Sequence, residues 1–265
     1  MRPSLVIARR LLIERRLLVG GVSFGAALTL ALQMAMYPSV RDSFGEMSEG
    51  LPEAFVQLMG TSEFASPEGF LQAEAYGTMG PILIIIVAIS MVSSGLPGAE
   101  ASGRMTMLAT SSVSRRSIGV GTALSVAAGV TMVAAVYWVA TVMGSAVGDL
   151  DIGVGRLTAA AFSLWLLGLS VGAVAFFVGG VTGSRGATIG AAATVAVGSF
   201  LTYGLLPLSD RFAWGRGVSL WYPYTEHEPL ANGVDPVNAL VLAGIVVAGT
   251  VGGLHFFGRR DLGPH

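Results

Sequence analysis

The sequence predicts an all-α integral membrane protein of six transmembrane helices, preceded by a short N-terminal interfacial helix. Three observations carry this. The chain of 265 residues is 53% hydrophobic and only 12% charged, with mean hydropathy +0.71, far too little charge to coat a water-soluble domain of that length. Six apolar stretches are long enough for the roughly 20 helical residues that cross a hydrocarbon core. The arginines crowd into alternate connections, as expected when basic loops are retained on the cytoplasmic side.

The lead, residues 1–16, comes first. Leu5, Ala8 and Leu12 recur at helical spacing. It reads as a cytoplasmic helix along the inner interface, its arginines reaching toward the headgroups. A plain topogenic basic patch would serve the same rule. Spans are expected near residues 17–37, 78–96, 118–147, 157–181, 187–208 and 236–257. The first is read as a retained anchor, because its apolar part is too long for the core of a signal peptide.

Between the spans lie two long outer segments, 38–77 and 209–235, and one long cytoplasmic loop, 97–117. In the first, Leu51, Phe55, Leu58 and Met59 form a helical stripe that Gly60 would stop. Ser66-Pro67-Glu68 then supplies a cap, a proline at the first helical position and an acid near the positive dipole end. The second long helix is therefore expected to start well before the membrane. Pro81 is a candidate kink in it, and Pro97-Gly98 is expected to close it. The second outer segment holds Trp214, Trp221, Tyr222 and Tyr224. It is read as an interfacial or re-entrant helical hairpin, since such aromatics settle at headgroup level.

Orientation follows from charge. With a cytoplasmic N-terminus, Arg2, Arg9, Arg10, Arg15, Arg16, Arg104, Arg115, Arg116, Arg185, Arg259 and Arg260 lie inside. Only Arg41, Arg156, Arg211 and Arg216 lie outside. This places both termini on the cytoplasmic side of the membrane.

Several chemistries are disfavoured by what is missing. The basic residues are all arginine, and a phosphate-cradling G-x-x-x-x-G-K-[ST] loop needs a lysine. No expected span contains Asp, Glu or Arg, and only His255 sits near an end. Ion-coupled carriers usually place such groups at membrane depth, although broken helices can coordinate sodium through carbonyls. There is no cysteine, no H-E-x-x-H and no G-x-S-x-G. Glu226-His227-Glu228 resembles a metal cluster, but three consecutive helical residues cannot face one ion. No catalytic residue or metal ligand is therefore expected in this chain, and no cofactor of its own.

Small residues recur at four-residue spacing: Gly21/Gly25, Gly121/Ser125/Gly129, Gly168/Gly172, Gly186/Gly190 and Gly244/Ala248/Gly252. In lipid this spacing lets helix backbones approach closely. Packing within the chain accounts for most of these pairs; at least one face is a candidate for pairing two copies.

The loop after span 2 runs from Glu100 through Gly103, Arg104, Met105, Met107, Leu108, Ser112, Val113 and Ser114 to Arg115 and Arg116. It resembles the corresponding loop of ABC-2 type transporter permeases, where acidic residues precede Gly-Thr-Leu, a short apolar helix and Pro-Val-Ser-Arg. Arg104 and Ser112 depart from that pattern. Tyr37-Pro38-Ser39-Val40, Ser66 to Phe70, Pro229 to Asp235 and Arg259 to Leu262 resemble half-size permeases of this group in the same order.

The resemblance implies a cytoplasmic coupling helix between spans 2 and 3. It also implies the permease subunit of an ATP-driven exporter, paired with a second permease and with cytoplasmic ATPase subunits that use ATP and magnesium. Met105, Met107 and Leu108 would enter a groove on the ATPase, while Glu100, Arg104, Arg115 and Arg116 would fix register at its rim. The cargo expected for apolar spans is a hydrophobic or amphipathic drug, antibiotic or lipid; no substrate-binding residue is assigned. A membrane scaffold or sensor docking a cytoplasmic partner through the same loop is the competing expectation.

Overall fold

The computed structural model describes residues 3–49, 66–101, 114–148, 150–206 and 211–260. Among them no residue lies in a strand. Six helices are long and apolar enough to cross a membrane: Arg16–Ser39, Pro67–Leu96, Arg115–Val147, Val154–Thr182, Arg185–Leu205 and Pro236–Arg259, here called spans 1 to 6. All six expected spans are present, and the chain is a multi-pass membrane protein by this criterion.

Two helix ends differ from expectation. The helix of span 1 does not stop near Tyr37 but runs from Arg16 to Glu49 with Pro38 inside it. Span 2 likewise continues through Pro97-Gly98 to Ala101. A proline deletes one main-chain donor, and a helix already wound tolerates that single loss. The stripe at Leu51, Phe55, Leu58 and Met59 lies outside the described residues.

The start of span 2 follows its sequence signals. Ser66 is extended, its hydroxyl accepts the Gly69 N–H at 3.0 Å, and Pro67 opens the helix. From Leu71 to Met79 the helix then widens into a π-helix before tightening at Gly80. Gly77 suits the widened turn, because a Cβ there would come within 2.7 Å of the Gln72 carbonyl oxygen.

Spans 2 and 4 form the centre of the bundle. Two thirds of each is buried (67%), against 17% of span 5 and 11% of span 6. Lipid chains are as apolar as leucine, so close backbone approach and hydrogen bonds hold such helices together. Span 6 runs along span 4 in this way. A Cβ on Gly180 would fall 2.5 Å from the Gly253 carbonyl oxygen, and one on Gly249 2.8 Å from that of Ala173. Ser170 of span 4 also lies 3.2 Å from the Leu242 carbonyl of span 6. Trp138 and Trp165 donate to Thr158 and Thr131 at 2.9 Å, joining spans 3 and 4.

The recurrent glycines divide cleanly. Gly121, Gly129, Gly168 and Gly172 pack on neighbouring helices, whereas Gly21, Gly25, Gly190 and Gly244 have open space where a side chain would be. The N-terminal helix, Pro3–Glu14, is separated from span 1 only by Arg15. It packs along the start of span 3, where Ile7 and the Ser4 carbonyl press on Gly121.

The second outer segment folds as a 3-10 turn, Ala213–Val218, and two short helices, Trp221–Thr225 and Pro229–Asn232. Its aromatics split by role. Trp214 is 77% exposed, whereas Trp221 and Tyr224 are 6% and 3% exposed and enter the bundle.

Candidate functional site

The inner face is where the sequence places the contact with a partner. Gly103, Arg104, Met105, Met107 and Leu108 lie outside the described residues, and Glu100 is described only as helical backbone. Arg115 and Arg116 are described and open span 3. Ser114 caps that helix, its hydroxyl accepting the Ser117 N–H at 3.2 Å.

Arg116 is exposed to the surroundings. Arg115 instead donates from Nη1 to the Arg260 carbonyl at 2.7 Å. Arg260 in turn reaches the carbonyls of Gly179 and Gly180 at 3.4 and 3.3 Å. These belong to the last turn of span 4, which ends on Gly183 in the left-handed conformation, φ 62°. A cation there meets the negative end of the helix dipole, at a turn where the Gly179 carbonyl also accepts the Gly183 N–H at 2.9 Å. The first residue of span 3 is thereby tied to the inner ends of spans 6 and 4.

Close by, spans 2 and 3 touch without slack. A Cβ on Gly95 would lie 2.3 Å from Cγ2 of Thr122. Gly95 precedes the loop and Thr122 follows it, so the two helices that flank residues 97–117 meet face to face just beyond it. A displacement of that loop has little room to be absorbed at this crossing.

A groove of about 540 Å³ runs between spans 2 and 5. Ile82, Ile85, Ile86 and Ile89 form one wall; Ala193, Ala196 and Val197 face them. Phe200 and Trp221 close one end, their rings edge to face at 5.5 Å. Thr78 and Ser90 are among the few polar residues along it. Ala193 and Ala196, small beside Ile189, Val197 and Phe200 on the same helix, leave the space opposite the isoleucines. No motif marks such a site in the sequence; the isoleucine run from Ile84 to Ile86 and the alanines from Ala191 to Ala193 are its only traces.

At the end of the bundle where span 2 begins, three buried tyrosines converge on the π-helix. Tyr137 donates to the Ala75 carbonyl, Tyr224 donates to the Tyr76 carbonyl, and the Tyr76 hydroxyl pairs with Thr141 at 3.1 Å. The rings of Tyr76 and Tyr137 meet edge to face at 5.3 Å. Burial pushes the Tyr224 hydroxyl well above its ordinary range, so it stays protonated and able to donate.

Ion pairs finish this end. Arg156 meets Glu68 at 3.4 Å, joining spans 4 and 2, and Arg216 meets Glu226 at 2.8 Å. Tyr203 of span 5 donates to the other oxygen of Glu226 at 3.1 Å. Glu226 is thus committed to the hairpin, while Glu228 takes a left-handed backbone, φ 49°. The arrangement holds these elements in place. Neither a family model nor a curated protein matches this chain.

Proposed function

We propose that this chain is the permease subunit of an ATP-binding-cassette exporter of the ABC-2 type. It sits in a prokaryotic plasma membrane with both termini cytoplasmic. It pairs with a second permease, identical or related, and borrows its driving force from separate ATPase subunits that use ATP and magnesium. The cargo is hydrophobic or amphipathic.

The observation that carries this reading is the tie from Arg115 through Arg260 to the carbonyls of span 4. It makes the end of the 97–117 loop mechanically continuous with three spans, which is what an external motor pulling on that loop requires. The apolar groove between spans 2 and 5 supplies surface for a cargo of that class. The absence of lysine from the chain and of acidic residues and arginine from the apolar core of each span makes an internal motor a poor alternative.

The test is co-purification with a cytoplasmic ABC ATPase subunit of the same cell, followed by reconstitution into vesicles. The permease is expected to assemble with that ATPase and alter its ATP turnover, and Arg115→Glu to abolish both. Unchanged turnover with intact Arg115→Glu assembly would leave a scaffold or sensor role. Uphill transport by the lone chain without ATP would overturn the reading altogether.

A further inference from the structure

The N-terminal helix, Pro3–Glu14, has two unlike faces. One is committed to the protein: Ala8 and Leu11 are buried, and Ile7 presses on Gly121 of span 3. On the opposite face Val6 and Ile13 are 51% and 50% exposed. At about 100° per residue these two point in nearly the same direction, with Arg9 and Arg10 roughly 50° to either side. Both arginines are exposed, and Arg10 also pairs with Glu14 at 3.1 Å.

Such a face fits neither bulk water nor bare hydrocarbon. Water would leave two branched aliphatic side chains wet, and hydrocarbon would strip two guanidinium groups of their partners. A headgroup layer serves both, taking the aliphatic residues below and the arginines at phosphate level. Position narrows the occupant further. Only Arg15 separates this helix from span 1, so it cannot leave the membrane surface. The charge is also one-sided, with Arg2, Arg9, Arg10, Arg15 and Arg16 against Glu14 alone in the first sixteen residues.

We propose that the outward face of the N-terminal helix is a binding surface for anionic phospholipid headgroups, and that headgroups held there pin the inner end of span 3. The inference rests on the six apolar helices and not on the exporter reading. Through Ile7 and Gly121, lipid composition acts on the same end of span 3 that Arg115 ties to spans 4 and 6.

The chain has no cysteine, so Ile13→Cys accepts a single fluorophore. The labelled full-length protein is reconstituted into phosphatidylcholine vesicles containing either brominated phosphatidylglycerol or an equal fraction of brominated phosphatidylcholine. Stronger quenching by the phosphatidylglycerol is expected, with Arg9→Gln and Arg10→Gln each lowering that preference by up to about fivefold. Equal quenching by the two lipids, or a preference that survives both substitutions, overturns the proposal. So does quenching by aqueous iodide in place of brominated lipid, the result a face turned to water or to a soluble protein would give. Leu5→Cys reads the neighbouring side of the helix should the label at position 13 disturb folding.

Discussion

Tyr224 of the outer hairpin donates its hydroxyl to the main-chain carbonyl of Tyr76, 148 residues earlier in the chain. The reason that carbonyl is free lies five residues on. In the π register the Tyr76 carbonyl would accept from residue 81, which is a proline without an N–H. The π-helix ends there, and a side chain from the far end of the sequence completes the bond.

Tyr224→Phe should therefore cost about 1–3 kcal/mol, the penalty for a buried acceptor left unpaired. Pro81→Ala restores an N–H at the position the π register needs and should be nearly neutral alone. In the double variant part of the loss should be recovered. A double-mutant cycle of unfolding in detergent measures the coupling, and strict additivity would separate the two residues.

Alkaline pH should reveal the same bond. Burial raises the folded-state pKa of Tyr224, whereas an unfolded tyrosine titrates near 10. Its contribution is complete below that value and is lost as pH rises from there through the folded-state pKa. The chain has no lysine, so tyrosines dominate the titration there. Stability should be flat from pH 7 to about 9 and fall above about 10, with a shallower fall in Tyr224→Phe.

The elements that hydropathy and capping describe were legible beforehand: six spans, and a second helix opened by Ser66 and Pro67. The π-helix was not, because a mixed run such as Leu71–Met79 carries no mark that separates a widened turn from an ordinary one. Gly77 and Pro81 make sense only once the widened turn is seen. Pro97 misled because a proline was read as a stop when it removes a single bond. The partnership of Arg115 with Arg260, 145 residues apart, leaves no local trace, and topology already explained both arginines. The groove was hidden for a related reason. Hydropathy reports how well each residue suits lipid, not which helix it faces.

At the crossing of spans 2 and 3, Gly95→Ala should destabilise the protein by about 1–3 kcal/mol, since overpacking forces side chains or backbone to shift. The obstacle is Cγ2 of Thr122, 2.3 Å from the added carbon. Thr122→Ala removes that methyl group and a buried hydroxyl without a hydrogen-bond partner. Most of the stability should return in the double variant, as read by unfolding in dodecylsulfate. If Thr122→Ala gives no relief, the contact is not the cause.

Removing the inner tie should loosen one end of the bundle without unfolding it. Arg260→Gln loses the reach to Gly179 and Gly180, a half-buried cation at a helix C-terminus worth about 0.3–1 kcal/mol. Hydrogen exchange should quicken in the last turn of span 4 and the first turn of span 3, while the Tyr76 region keeps its protection. Uniform quickening throughout the chain would point to general destabilisation.

The groove offers the test that separates a cargo surface from a lipid-filled cleft. Ala193→Trp places an indole on the wall that faces Ile85 and Ile86, where small side chains keep the space open. Val247 of span 6 is 61% exposed and lies outside the groove, so Val247→Trp is the matched control for added bulk. On the exporter reading, Ala193→Trp should retain ATPase assembly and basal turnover. Its cargo-stimulated turnover should fall by about tenfold or more, the scale on which an apolar site discriminates small changes in volume. The control should remain near wild type in both measurements. An equal loss in the two variants would trace the effect to crowding in the bilayer, because Val247→Trp adds the same ring outside the groove.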